Sequence, residues 1–404
     1  MRLWCAFPAL IAVLFAPVSF AAAQTSLTID DVYARARAQG SSVVVARLAL
    51  DEARGRVAGA SIRFPSNPEI GLSLGSRRGE RTTTDMEFGV TQQLEPRGRR
   101  TARVAAATAE LNQAGANLQE TTRLSLRDAG HAYYRALYAS ERLRLFIAAE
   151  NLAAQILQIA DRRFRAGDIA ALDLNIAKGA LARVRATRED ASAALVLALA
   201  DVQELLSFEG EIRIEGQLAP LTVLDQAVAL QRADSRPELR VLEEAARQAD
   251  AEIQLGRSFQ KADYGLGVQY KREGADNIAL GGLTVSLPVF SNGQELRTVG
   301  VAKAARLRFE LAAARIRIQT EVRASLRAYE HRLEALRVLQ ADALPGLDDN
   351  EALASRSFDV GQLGLPDLLL IRREILDTRF QYLDALLEAA IARVDVDASA
   401  ALLR

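Results

Sequence analysis

Alternating apolar and polar residues predict four β-strands. In the first of them, Ile70, Leu72 and Leu74 alternate with glycine and serine. Side chains in a strand point to opposite faces in turn, so each predicted strand has one apolar face and one face of small or polar residues. The predicted strands cover residues of about 68–76, 85–95, 263–272 and 278–290.

Helical periodicity dominates the rest of the chain, and its longest stretch carries no proline. At 1.5 Å per residue that stretch would be about 100 Å long if it were continuous. In the second long stretch, Pro345-Gly346 predicts a kink. Helices of this length indicate a coiled coil or an extended tube rather than a globular core. The long helices are predicted at about 98–164 and 294–358, and the helices that return from them at about 172–208 and 366–403.

The two halves of the chain resemble each other at an offset of about 194 residues. The segment Phe164–Leu174 aligns with Phe358–Leu368, and phenylalanine, glycine, aspartate and leucine recur at one spacing. Residues 70–72 align with 264–266 in the same register. We interpret this as a duplicated unit of helix, strand pair, long helix and returning helix. The predicted division is a first repeat at 24–208, a linker or equatorial segment at 209–234 and a second repeat at 235–404.

Residues 1–23 have the pattern of a secretory signal peptide. Arg2 precedes an apolar run, and Ala21-Ala22-Ala23 provides a cleavage site before Gln24. A membrane anchor is the alternative, but the run is short and contains Pro8 and Pro17. We expect no further hydrophobic run of about 18 residues, so helices are not expected to hold the mature chain in a membrane.

Charge and composition exclude several functions. Lysine plus arginine and aspartate plus glutamate each number 51, which argues against a protein that must neutralise nucleic-acid phosphates. Cys5 is the single cysteine, and His131 and His331 are isolated from each other, so neither a disulfide framework nor a metal cage is expected. We recognise no catalytic constellation and no phosphate-binding loop. The sequence therefore predicts no catalytic residue, metal site or cofactor.

The predicted strands have the length and alternation of outer-membrane barrel strands. The alternative is a small antiparallel sheet in a soluble domain, but the signal peptide and the long helices favour the barrel. Four strands cannot close a barrel, because the smallest bacterial examples use eight. A barrel would therefore need strands from several chains.

The repeated plan resembles the outer membrane efflux protein family, which is typified by TolC. The most specific local feature is the motif Phe-x-x-Gly-x(5)-Asp-Leu, which occurs at Phe164 and at Phe358. Residues 94–100 add to the resemblance, and residues 165–175 are similar to the CzcC-type branch that serves heavy-metal efflux. The resemblance implies a mainly α fold with a small β part. It further implies a homotrimer in the outer membrane of a Gram-negative bacterium, with a twelve-stranded barrel in the lipid and a long periplasmic α-helical barrel. Its partners would be a periplasmic adaptor and an inner-membrane pump of the resistance-nodulation-division type.

The same resemblance suggests functional residues at the periplasmic end. Asp367 aligns with an acidic ring that gates the tunnel, and Asp173 is its counterpart in the first repeat. Either carboxylate could instead stabilise the first turn of a helix through the helix dipole. Leu370 stands where a second acidic ring is expected, which departs from the family pattern. The residues expected to contact the adaptor are Gly167, Asp168, Gly361 and Gln362.

Several functions remain open at this point. The first is an exit duct for heavy-metal cations, and the second is a duct of the same fold for drugs or other solutes. A soluble periplasmic coiled-coil scaffold or adaptor is a third, although an adaptor should carry one helical hairpin rather than two. An outer-membrane enzyme would need a catalytic cluster, and the sequence suggests none.

Overall fold

The computed structural model describes residues 25–79, 82–219 and 225–403. The predicted signal peptide lies outside these residues. The described chain is mainly helical with a small β part, which confirms the predicted fold class. The helices are α1 (Ile29–Gln39), α2 (Ser41–Ala60), α3 (Arg99–Ala166), α4 (Ala171–Leu206), α5 (Gln226–Ala233), α6 (Pro237–Ser258), α7 (Gln294–Val338), α8 (Leu347–Asp359) and α9 (Leu365–Ser399). The strands are β1 (Thr25–Leu27), β2 (Glu69–Arg77), β3 (Thr83–Leu94), β4 (Ile212–Ile214), β5 (Asp263–Glu273) and β6 (Asp276–Ser286).

Four of the strands form one antiparallel sheet in the order β2-β3-β5-β6. The β3–β5 pairing joins the two halves of the chain, with Phe88 opposite Tyr270. On the same face, Ile70, Leu72 and Val268 have 71%, 63% and 66% of their surface exposed. Within the described residues, β2 and β6 each pair on one side, so the sheet has two open edges and an uncovered apolar face.

The fourth strand of this sheet ends earlier than the sequence pattern suggests. β6 stops at Ser286, whereas the predicted strand continued to residue 290. Pro288 lacks the backbone N–H that a strand ladder requires, and its neighbours leave the extended conformation. The prediction of 278–290 was therefore wrong at its C-terminal end.

The longest helix, α3, has 68 residues and spans about 100 Å. It begins after Gly98 and ends before Gly167, and both glycines have left-handed backbone angles. α3 packs against α2, α4, α6 and α9, while α7 packs against α6 and α9. The helices thus form an elongated bundle rather than a globule.

The second long helix is broken, which corrects the predicted span of 294–358. α7 ends at Val338, and a π-helical turn covers Leu339–Ala343. The N–H of Leu344 donates to the carbonyl of Leu339 at 3.0 Å. Pro345 follows without an N–H of its own, and Gly346 takes a φ of 85° before α8 begins. The break lies at the predicted Pro345-Gly346 kink.

The segment at 209–234 contributes to the core near the middle of the bundle. β4 pairs in parallel with β1, so that Ile212 lies opposite Thr25. Tyr133 of α3 is buried there, and its hydroxyl donates to the carbonyl of Glu215 at 2.7 Å. α5 lies in a second apolar cluster with α7 and α9. This segment is structured where the chain is described, and it ties both ends of the first repeat together.

One expectation about hydrophobic runs was wrong. α3 contains an 18-residue window with a mean hydropathy of 1.2, although no such run was expected after the signal peptide. Ile156 and Ala160 of this helix are buried against other helices of the chain, although only 22% of the window is buried. Since core helices of soluble proteins pass the same composition test, the window does not by itself identify a membrane span.

Candidate functional site

The turn from α3 to α4 is a Schellman motif, in which two backbone N–H groups close the end of a helix. Gly167 has a φ of 84°, and its N–H donates to the carbonyl of Phe164 at 3.0 Å. The N–H of Asp168 donates to the carbonyl of Arg163 at 2.9 Å. A side chain at Gly167 would strain this left-handed conformation.

The turn from α8 to α9 has the same geometry. Gly361 has a φ of 77°, and its N–H donates to the carbonyl of Phe358 at 3.1 Å. The N–H of Gln362 donates to the carbonyl of Ser357 at 2.8 Å. The repeated Phe-x-x-Gly spacing is thus the signature of a helix end. All four predicted tip residues are exposed, so their surface is free for contacts with another molecule.

The structure brings the two turns together through Arg163, a contact that the sequence did not suggest. One guanidinium nitrogen of Arg163 donates to the carbonyls of Phe358 and Asp359, each at 3.0 Å. The same group lies 4.6 Å from the centre of the Phe358 ring. Phe358 is 4% exposed, whereas its repeat counterpart Phe164 is 39% exposed. The repeated motif therefore has different roles in the two halves.

An apolar cluster joins the ends of the four helices behind the turns. Its leucines come from the first turns of the returning helices, so each turn is fixed relative to the other by packing as well as by Arg163. The buried members are Ile156, Ala160, Leu174, Ala177, Ala354, Phe358, Leu365 and Leu368.

The two predicted gate carboxylates occupy equivalent places. Asp173 is the third residue of α4 and half-buried, and Asp367 is the third residue of α9 and exposed. Both positions suit a carboxylate that stabilises a helix N-terminus, and both leave it near the turns. Leu370, one turn further along α9, is 58% exposed, so an apolar side chain occupies the place of the expected second ring.

Within the described residues, no group of three or more histidine, cysteine, aspartate or glutamate side chains could hold a metal ion. His131 lies well away from the turns, with its Nε2 at 2.9 Å from a carboxylate oxygen of Asp395. Its role there is that of a packed, half-buried side chain.

The face of the sheet opposite the apolar residues is mainly polar, with Ile278 and Leu280 of β6 as its apolar exceptions. Lys271 of β5 lies 3.2 Å from Glu87 of β3. Arg77 of β2 pairs with Asp85 at 3.0 Å and with Glu273 at 2.7 Å, which links three strands at one end of the sheet. A sheet with one charged face and one apolar face is suited to separate water from lipid.

The sequence profile of the outer membrane efflux protein family matches residues 32–207. The chain carries an outer membrane efflux protein domain. It is 24% identical over 389 residues to the cobalt-zinc-cadmium resistance protein CzcC of Cupriavidus metallidurans, covering 92% of this chain and 89% of that protein. These matches confirm the resemblance that the repeated motifs indicated.

Solved structures agree on the fold of this chain. The CmeC outer membrane channel of Campylobacter jejuni superposes with a TM-score of 0.75 at 15% identity, covering 92% of this chain and 85% of CmeC. A membrane protein from Pseudomonas aeruginosa gives a TM-score of 0.78 at 17% identity, with 92% of each chain covered. The likeness to CmeC, at 15% identity, shows that the chain has the fold of that outer membrane channel.

Proposed function

We propose that three copies of this chain form one channel, and that the channel exports heavy-metal cations as the exit duct of a tripartite pump. The open edges of the four-stranded sheet support the assembly of three copies. Pairing β6 of one copy with β2 of the next would satisfy both edges. Four strands from each of three copies would then close a barrel of a size that bacterial outer membranes accommodate.

The exposure of apolar side chains supports a lipid environment for this barrel. Leu72, Val268 and Leu283 lie on one face of the sheet and are 63%, 66% and 65% exposed. Such a patch is costly in water and favourable in a hydrocarbon layer. A soluble scaffold would instead cover or replace it, so this face argues against the periplasmic scaffold.

The cargo is inferred from a relative. CzcC is named for resistance to cobalt, zinc and cadmium, and it aligns with 92% of this chain. By that likeness, the channel passes divalent metal cations. It would receive them from an inner-membrane pump of the resistance-nodulation-division type through a periplasmic adaptor. The adaptor would contact the exposed turns at Gly167, Asp168, Gly361 and Gln362.

The gate residues complete the proposal. Three copies of Asp367, and next to them three copies of Asp173, would place carboxylates around the narrow periplasmic end. A ring of like charges in a constriction concentrates cations by its focused field. Binding of a cation to such a ring would stay weak enough for release, because the described residues build no metal cage.

Three measurements test the proposal. Mass analysis of the detergent-extracted protein should give a trimer, and planar-bilayer recordings should give discrete pores. A water-soluble monomer without conductance would contradict the channel. For the cargo, deletion of the gene should increase sensitivity to cobalt, zinc or cadmium salts. Sensitivity to dyes and detergents alone would point to a drug duct instead.

A further inference from the structure

A cavity of about 460 Å³ lies between the two helical hairpins, above the turns. It is bounded by α3 and α4 on one side and by α8 and α9 on the other. Small side chains leave the space open, among them Ala149, Ala153 and Ala180, and larger apolar groups such as Leu152 and Leu376 form its walls. A volume of this size is typical of sites for small organic molecules.

The charged residues at this cavity are unbalanced. Four arginines border it, at positions 183, 372, 373 and 379, against the single carboxylate of Glu351. Arg379 is paired, at 2.7 Å from Asp348 and 3.1 Å from Glu351. Arg373 points to solvent, with 78% of its side chain exposed, and lies 3.6 Å from a carboxylate oxygen of Asp377. Arg183 and Arg372 are the cavity arginines without an ion pair in the described chain, and they leave positive charge next to an apolar wall.

Arg372 is the arginine whose hydrogen bonds are incomplete. One of its nitrogens, Nη2, donates to the hydroxyl of Ser355 at 2.9 Å. Its Nε and Nη1 are buried and have no hydrogen-bond partner in the described chain. Burial lowers the pKa of Arg372, and the nearby charges of Glu351 and Asp359 act in the opposite direction. Buried donors without acceptors are costly, so the site is incomplete as the chain stands alone.

We propose that this cavity binds a small amphipathic anion. Its carboxylate accepts hydrogen bonds from Arg372, and its apolar body lies against Leu152, Ile375 and Leu376. A helix of a protein partner is about 10 Å wide, so a volume of about 460 Å³ holds only about one turn of it, and a small molecule is the better match. The occupant contacts both hairpins, so binding stabilises their packing against each other. The proposal does not depend on what the channel exports.

Isothermal titration calorimetry on the mature chain in lipid nanodiscs tests this site. The probe is 4-phenylbutyrate, its neutral control is 4-phenylbutanamide, and empty nanodiscs correct for partition into lipid. We expect saturable binding of the carboxylate, with the amide at least about tenfold weaker because it lacks the charge. Bound carboxylate should also raise the thermal midpoint of the protein.

Variants separate the cavity from general charge effects. Arg372→Gln should weaken carboxylate binding about tenfold or more, and Ala149→Leu should do the same by filling the space while leaving every charge in place. Arg337→Gln is the matched control, since that side chain is 72% exposed on α7 and outside the cavity. The proposal is overturned if the wild type binds amide and carboxylate equally or neither of them. Equal losses in Arg372→Gln and Arg337→Gln would overturn it as well.

Discussion

Asp367 can act in two ways, and the structure of a single chain is compatible with both. It is exposed in the first turn of α9, where a carboxylate interacts favourably with the helix dipole. It also lies next to the turn that would face the axis of a trimer. The first role concerns stability alone, whereas the second concerns ions in the pore, so the two can be separated by experiment.

We expect Asp367→Asn to weaken the block of single-channel current by multivalent cations about tenfold, because a ring of three charges concentrates cations in its constriction. Asp349→Asn is the control, since Asp349 is also an exposed first-turn aspartate, on α8. Block curves recorded in planar bilayers give the comparison. Unchanged block in Asp367→Asn, with a loss of about 0.3–1 kcal/mol in stability, would assign the residue to the helix dipole alone.

We expect the contact between the two turns to depend on Arg163. Arg163→Gln removes the cation–π contact with Phe358 and two hydrogen bonds to backbone carbonyls. Together these contribute about 1–3 kcal/mol, so the amides of residues 356–363 should exchange with deuterium about tenfold faster or more. Arg162→Gln, at an exposed position beside it, should leave that exchange unchanged. Equal exchange in both variants would show that apolar packing alone holds the turns together.

Arg163 also shows why part of the site could not be predicted. The Phe-x-x-Gly motif revealed both helix ends, because a helix stop is a local property of the chain. The partner of Arg163 lies 195 residues away in sequence, and the aligned residue of the second repeat is Ser357. A contact that breaks the repeat leaves no periodic signal.

Helices and strands differ in how strongly the sequence determined them. β2, β3 and β5 follow a period of two, and α3 is a run without proline between two glycines. By contrast, β1 and β4 are three residues each and pair across a separation of 187 residues, which no local pattern encodes. The π-helical turn before Pro345 is similar, since it depends on how the chain accommodates the missing N–H.

We expect the stability of the two glycine turns to depend on the left-handed backbone angles of Gly167 and Gly361. Gly167→Ala and Gly361→Ala force a side chain into left-handed angles of 84° and 77°, so each should cost about 1–2 kcal/mol. Gly55→Ala is the opposite case, because Gly55 lies inside α2 with open space around the added carbon. It should gain about 0.5–1 kcal/mol. Thermal unfolding of the purified variants measures both signs. A loss in Gly55→Ala as large as in the turn variants would contradict the conformational argument.

The proposed channel would have a property that the single chain only suggests, namely which face of the sheet meets lipid. Leu72 and Ser73 are neighbours in β2 and point to opposite faces. In the proposed barrel Leu72 faces hydrocarbon and Ser73 faces the lumen, whereas in a soluble scaffold both would face water. The same substitution, made at Leu72 and at Ser73, therefore distinguishes the barrel from the soluble scaffold.

We expect Leu72→Arg to reduce the amount of trimer recovered from the outer membrane strongly, because an arginine near the middle of the lipid layer costs about 2–4 kcal/mol in each copy. Ser73→Arg places the same charge among polar groups and water, so its yield should stay close to that of the wild type. Heat-modifiable migration of the membrane fraction on gels quantifies the trimer in both. Similar yields for the two variants would mean that the apolar face is not in lipid, and the barrel would then have to be abandoned in favour of a soluble sheet.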